Sequence, residues 1–398
     1  MKKHLISTTF VTLLVLFPIY AQEIPSRSDA GSGASRGPER LASVSETNYL
    51  HQLALRGLDL GTQGLLIESL DGRTMFAELN STVGFNPASV IKVATSFAAL
   101  SKFGPDYHFQ TALYGDGAIN KKTRTLNGDL VLVSTGDPIL SSIDVSRMAR
   151  EVVRAGITQV TGDLVVTGPF TYGLFHTTEK AADGLVKLLR RLGVKVRSSR
   201  YGKPSGGTEI TRYESASLRD ILFYQNAHSV NQTADRLGEA VGGPKGVEQF
   251  LVRDIGIAPQ DISISHTSGL EYNRITPRGT VMLFRELVFW LNLANMQPQD
   301  VLPVAGVDAG TLQRRFTGEE YRGAIIGKTG TLPGTDGGVS TLAGIAYTRD
   351  HGPVLFAIFN TKGSVATYRK LQDQLMKGFI VESGGIPDVS ASAHKLNN

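Results

Sequence analysis

The chain has 398 residues, 41% hydrophobic and 19% charged, enough for a sizeable core in an ordinary soluble globular protein. It has no Cys, which excludes disulfides, zinc–thiolate sites, thiol catalysis and a lipid-bearing cysteine. The formal charge of +5, or +3 without Lys2 and Lys3, is a mild excess with no basic stripe interleaved with aromatics, so no nucleic-acid partner is expected.

Lys2 and Lys3 precede an apolar run from Phe10 to Tyr20, and the small Ala21 stands before Gln22. That pattern predicts a secretory signal peptide over residues 1–21, too short to span a bilayer comfortably. No later stretch approaches a span, so the mature chain is expected to be exported and periplasmic, or otherwise extracytoplasmic, without a transmembrane segment. Residues 22–40, rich in small and polar side chains, read as a flexible leader.

Gly64 to Leu70 and Thr74 to Ala77 read as strands joined at Asp71-Gly72, a hairpin signal. After Pro87, the apolar positions Val90, Val93, Ala94, Phe97 and Ala98 recur at helical spacing up to Gly104-Pro105, predicting a largely buried helix. From 105 to 213 the texture changes. Short β-like runs (Leu130 to Val133, Leu164 to Val166, Val194 to Val196) alternate with helix-like ones (Val145 to Ala155, Thr178 to Leu192). Gly128-Asp129-Leu130-Val131 and Gly162-Asp163-Leu164-Val165 resemble each other as two turn–strand units. This stretch reads as an inserted subdomain. Leu218 to Gln225 and Gln232 to Val241 read as helices around a turn at Ser229-Val230-Asn231. Gly323 to Gly330, Val339 to Tyr347 and Val354 to Phe359 read as strands, and Val365 to Phe379 as a last helix. Strands at both chain ends predict one sheet built from both termini, by residues 41–104 and 214–398.

Ser89 and Lys92 stand three apart, so on a helix they share a face. A serine in the first turn lies near unpaired backbone amides, and a buried lysine one turn on loses its preference for the charged form and becomes a usable base. In Ser229-Val230-Asn231 a hydroxyl could relay a proton and an amide could bind a substrate amide. In Lys328-Thr329-Gly330 a cation and a hydroxyl could hold a carboxylate, with Gly330 leaving room for a ligand along the strand edge. Each motif alone has a plainer reading: a helix-capping serine, turn chemistry, an edge-strand lysine beside a turn glycine. A second S-x-x-K, Ser392/Lys395, occurs in the tail. The ordered set S-x-x-K, S-x-N, K-T-G, each in a fitting context, is the pattern of β-lactamases and penicillin-binding proteins.

The chain resembles the low-molecular-mass class C penicillin-binding proteins, the D-alanyl-D-alanine carboxypeptidase/endopeptidase family. Besides the three motifs, the resemblance is carried by Gly136-Asp137-Pro138, Gly162-Asp163-Leu164, Ser268-Gly269-Leu270 with Asn273-Arg274 and Thr276-Pro277, Val304-Ala305-Gly306 with Gly310-Thr311-Leu312, and Lys328 through Leu332. It covers about 45 to 380. It implies an α+β fold of the serine β-lactamase/transpeptidase type: an antiparallel sheet flanked by helices, a helical part, and a smaller inserted α/β subdomain over 105–213. It implies Ser89 as acyl-ester nucleophile, Lys92 as its base, Ser229 as proton relay and Asn231 as substrate-orienting residue. Lys328 and Thr329 would engage the substrate carboxylate beside Gly330, and the backbone amides of Ser89 and Thr331 would form the oxyanion hole. The implied substrate is a peptidoglycan stem peptide and the implied inhibitors are β-lactams, with no cofactor or metal. Endopeptidase action on cross-links is a further implied activity.

Four features depart from the family pattern. Only 140 residues separate Ser89 from Ser229, shorter than the usual large insertion. Val230 replaces the usual Asp or Asn, His266-Thr267 stands where Asp-Gly is usual, and residues 333–338 lengthen the turn after the K-T-G strand. A β-lactamase and a non-catalytic peptidoglycan-binding protein are the alternative readings. The oligomeric state is left open.

Overall fold

A computed structural model describes residues 37–203 and 206–387. The predicted signal peptide, residues 22–36 of the leader and the Ser392/Lys395 pair lie outside the described residues. In chain order the elements begin with β1 (Glu39–Arg40), α1 (Val44–Leu55), β2 (Gln63–Ser69), β3 (Thr74–Leu79), a 3-10 turn (Ala88–Ile91) and α2 (Lys92–Phe103). A second group follows: β4 (His108–Asn120), β5 (Thr125–Ser134), α3 (Ser142–Arg154), β6 (Gln159–Val160), β7 (Leu164–Thr167), α4 (Thr178–Arg191), β8 (Ser199–Tyr201) and β9 (Thr208–Ser217). Helices α5 (Leu218–His228), α6 (Asn231–Ala240) and α7 (Gly243–Phe250) come next, then the short β10 (Ile262–Ser263) and β11 (Arg274–Ile275) and the helix α8 (Pro277–Leu293). The chain closes with β12 (Ile325–Leu332), β13 (Val339–Thr348), β14 (Gly352–Asn360) and α9 (Val365–Glu382).

The first sheet has the order β1-β3-β2-β14-β13-β12, so both ends of the chain build it as expected. It is antiparallel except for β1, which pairs with β3 in parallel. Glu39 and Arg40 therefore belong to the fold and not to a flexible leader, a correction at the leader's end: Arg40 is tied to Glu46 at the start of α1. The central strands read as continuous apolar runs because both faces are covered. Leu65, Ile67, Phe356 and Ile358 pack with Tyr49 and Leu53 of α1 and Leu371, Leu375 and Phe379 of α9. Their neighbours Leu66, Leu355, Ala357 and Phe359 point the other way, toward Val93 and Phe97 of α2 and Val281 and Phe284 of α8. Alternation along each strand thus feeds two cores, and α2, at the middle of one of them, is an almost wholly buried helix.

The second sheet has the order β8-β7-β5-β4-β9 with β6 beside β5, and its own core with α3 and α4. The two Gly-Asp-Leu-Val units lie side by side: β5 and β7 pair in parallel with Leu130 opposite Leu164 and Val131 opposite Val165. Residues 194–196, read as a strand, make only one bridge, between Lys195 and Gln159, and the strand forms at Ser199–Tyr201 instead. Val194 and Val196 are buried in the core, so their apolar character reports burial and not pairing. The break at 213/214 falls inside β9, which continues to Ser217. Among the described residues no helix is long and apolar enough to cross a membrane.

Candidate active site

The site is built where the edge strand β12 meets the start of α2 and the turn between α5 and α6. Ser89 sits not in the first turn of an α-helix but in the tighter 3-10 turn that leads into α2. The residue before it, Ala88, has φ 45°, a left-handed conformation unusual for a side chain with a Cβ. Its N–H is held by Asn86 Oδ1 at 3.0 Å, and the carbonyl of Pro87 accepts from Thr341 Oγ1 at 2.8 Å. The strained segment is therefore pinned from both sides.

Lys92 is fully buried. Its Nζ lies 2.9 Å from Ser89 Oγ and 2.6 Å from Asn231 Oδ1, and it also bonds the carbonyl of Ser268. Burial lowers its pKa to about 7, while the carboxylate of Asp235 acts in the opposite direction. A neutral amine has two N–H groups and one lone pair. Asn231 Oδ1 and the Ser268 carbonyl can only accept, so they take the two hydrogens. The lone pair is left for the one partner able to donate, the Ser89 hydroxyl.

Ser229 ends α5 in the left-handed conformation, φ 57° and ψ 46°, a position where glycine is usual. Holding a serine there costs about 1 kcal/mol and keeps a hydroxyl at the turn. That hydroxyl accepts from Lys328 Nζ at 2.9 Å. Lys328 is also fully buried and bonds the carbonyl of Thr329 at 3.0 Å. Burial, and next the charge of Lys92, drive it well below the ordinary lysine range. Asn231 opens α6 two residues after Ser229. Thr329 is buried, and Thr331 Oγ1 accepts from Arg369 Nη2 at 2.8 Å. The structure thus brings the sequence-predicted residues together as two hydrogen-bonded groups, Ser89–Lys92–Asn231 and Ser229–Lys328, beside the edge strand.

Gly330 has a packing role. A Cβ there would run into Thr341 Oγ1 and meet Pro87 O at 2.5 Å and Ala88 Cβ at 2.9 Å, so the missing side chain makes room for the segment carrying Ser89. Gly269 does the same from the opposite direction: a Cβ would run into the carbonyl of Ala88, and its φ of 87° suits glycine alone. His228 is exposed and stacks on Tyr224, 4.4 Å between ring centroids.

The chain matches the D-Ala-D-Ala carboxypeptidase 3 (S13) family over residues 49–171 and 167–379. It belongs to that family. It is 31% identical over 153 residues to a D-alanyl-D-alanine carboxypeptidase of Actinomadura sp., covering 38% of this chain but only 27% of that one. With a carboxypeptidase DacB of Mycolicibacterium smegmatis it shares 27% identity over 377 residues, 77% of this chain and 78% of the relative. Penicillin-binding protein 4 (dacB) of Haemophilus influenzae, solved with a β-lactam, superposes with TM-score 0.69 at 21% identity, over 84% of this chain and 99% of that one, which shows the fold.

Sequence reasoning missed several residues at this S13 site. Asp235 lies one turn beyond Asn231 on α6 and accepts from the Ser268 N–H at 3.0 Å and from Thr267 Oγ1 at 3.3 Å. It thereby holds Ser268 from its amide side, while the carbonyl of the same residue holds Lys92. Asn86 joins three segments: besides Ala88 N, it bonds Glu271 O at 2.7 Å and Asp336 Oδ2 at 3.1 Å. Arg274 closes that knot on Asp336 at 3.1 Å, so the lengthened turn 333–338 is clasped to the segment leading to Ser89. The family signature at 268–274 was the available signal for Ser268 and Arg274; nothing local marks Asp235. Thr267, one of the departures, fits because Gly238 on α6 leaves space for its side chain.

Proposed function

We propose that this S13 protein is an exported serine-type D-Ala-D-Ala carboxypeptidase acting on peptidoglycan stem peptides, with endopeptidase action on cross-links, and that β-lactams inhibit it. The observation that carries the reading is the lone pair of Lys92, directed to Ser89 by two partners that can only accept. Ser89 Oγ attacks the carbonyl carbon of the penultimate D-Ala as its proton passes to Lys92. The backbone amides of Ser89 and Thr331 hold the oxyanion, and Asn231 orients the peptide through its amide nitrogen. Lys328 and Thr329 take the terminal carboxylate. Ser229 passes a proton to the leaving amine, the C–N bond breaks, and water hydrolyses the acyl ester on Ser89. Residues 105–217 form an insertion within the catalytic domain in this reading. The basic and apolar start of the chain supports export to an extracytoplasmic compartment.

The test is covalent labelling with a fluorescent penicillin, followed by mass mapping. Wild type is expected to label at Ser89 and to release D-Ala from a pentapeptide, and Ser89→Ala to do neither. A folded wild type that forms no adduct leaves only a wall-binding role. Rapid turnover of a chromogenic cephalosporin makes it a β-lactamase.

A further inference from the structure

A cavity of about 470 Å³ opens beside the K-T-G strand, between α9 and the segment 310–315. Four of its lining residues are cationic, Arg314, Arg315, Arg369 and Lys370, against one acid, Asp373. Asp373 is already committed: Arg315, nearly fully buried, bonds it through Nε at 2.7 Å and is steadied by Gln372 Oε1 at 3.2 Å. Among the described residues, Arg314, Arg369 and Lys370 have no ion-pair partner. Arg369 donates to Thr331 Oγ1, a hydroxyl that brings no counter-charge. Like charges gathered round a cavity repel, and an anion drawn from solution relieves that repulsion.

Two lining residues of the cavity bond segments that carry the candidate site. Arg369 touches Thr331, two residues beyond Thr329 on β12. On the other side Thr311 N–H bonds the carbonyl of Ala227 at 2.9 Å, two residues before Ser229. Gly310 is packed against that same carbonyl so closely that a Cβ would strike it. The cations therefore flank the end of the site where Lys328 and Thr329 would hold the leaving group's carboxylate.

We propose that this cavity binds the leaving half of a cross-linked stem peptide, through the carboxylates it carries beyond the one at the scissile bond. The proposal rests on the carboxypeptidase/endopeptidase reading and deepens it. A single D-Ala leaving group ends at its own carboxylate and gains nothing from Arg314 or Lys370. A cross-linked acceptor stem continues past that point with further acidic groups, and the cavity lies next to where it leaves the site. A linear polyanion would need a stripe of charge, whereas these cations gather round one recess that Arg369 ties to Thr331 of the K-T-G strand.

The experiment uses the full chain with Arg314→Ala and Lys370→Ala combined, both residues being exposed. In a Ser89→Ala background, binding of a cross-linked peptide dimer and of a monomeric pentapeptide is measured by calorimetry. Removal of the two cations is expected to weaken dimer binding about five- to tenfold and monomer binding less than twofold. In the Ser89 enzyme, penicillin acylation is expected to stay within twofold while dimer cleavage falls. Dimer binding that is unchanged, or that falls in step with the monomer, overturns the proposal. So does a loss confined to a non-peptide polyanion such as heparin. If wild type is not acylated by penicillin the carboxypeptidase reading fails, yet dimer binding to Ser89→Ala still reports on the cavity.

Discussion

Lys92 and Asp235 set the working pH of the proposed base. The neutral amine is the active form and its pKa is lowered to about 7 by burial, so penicillin acylation should rise with pH through that value and fall below it. Asp235, the carboxylate facing Lys92 from α6, favours the charged form against the effect of burial, and the charge of Lys92 in turn disfavours the charged form of Lys328 on β12. Asp235→Asn keeps an oxygen for the Ser268 amide and removes the charge. The acidic limb should then move to lower pH with the plateau nearly kept, a result read from acylation rates across a pH series. A limb that stays in place would show that Asp235 acts only through structure. Lys92→Met should cost about 10²- to 10⁴-fold in acylation at every pH. How these residues meet was partly legible in the sequence. The spacing of Ser89 and Lys92 and the order of the three motifs are written along the chain. Asp235 was not legible, because an acid one turn beyond an asparagine is ordinary until the fold lays residues 267–268 against that helix face.

At the level of elements, the start of α2 is wedged between β12 and the loop at 268–270, and two glycines permit the approach. Gly330→Ala would place a methyl group against Pro87 O and Ala88 Cβ and push the nucleophile's turn off the strand. A displacement of this order costs about a hundredfold in rate, so acylation should drop by that factor while circular dichroism stays native. Acylation within threefold of wild type would mean that the turn tolerates the shift. The sequence signalled that Gly330 mattered but not that Pro87-Ala88 packs against it, since that segment lies more than two hundred residues away along the chain. The strand misread at Val194 to Val196 has a related cause: β-branched residues mark a buried pleat-like environment, and only pairing with β7 decides which residues extend the sheet. The polar β9, with one buried residue, carries no apolar alternation to reveal it. Helix α8 carries readable start signals, Thr276 as its cap and Pro277 at its first position.

Across the whole molecule, α6 joins the two sheets. One face carries Asn231 and Asp235 to the site. The adjacent face sends Gln232 Nε2 to Gly173 O at 2.7 Å, and Arg236 to the carbonyls of Pro138, Gly173 and Phe175 at 3.1 to 3.3 Å. Asp137, buried there, is raised to about 6 by desolvation, and Arg236 counters part of that rise. Arg236→Ala should strand the carbonyls of Pro138 and Phe175, Gly173 keeping Gln232, and lower stability by about 1–3 kcal/mol in urea unfolding. Limited proteolysis should then cut first around residues 136–176. An unchanged unfolding midpoint would show that the two sheets are held together elsewhere. The shape of the first sheet was legible because apolar runs at both chain ends demanded a shared core; the docking through α6 was not, since it is made of carbonyl contacts that leave no pattern in side-chain types.

Lys328 has a thermodynamic consequence of its own. Buried and beside Lys92, it keeps far less of its charge than a surface lysine. A substrate carboxylate arriving there changes that balance, because the anion stabilises the ammonium form. In the proposed role, the negative charge of the ligand offsets the burial that disfavours the ammonium form, so capture is coupled to proton uptake by Lys328. Affinity at this end of the site would then respond to pH as well as to ionic strength, and the heat of binding would vary with the ionisation enthalpy of the buffer.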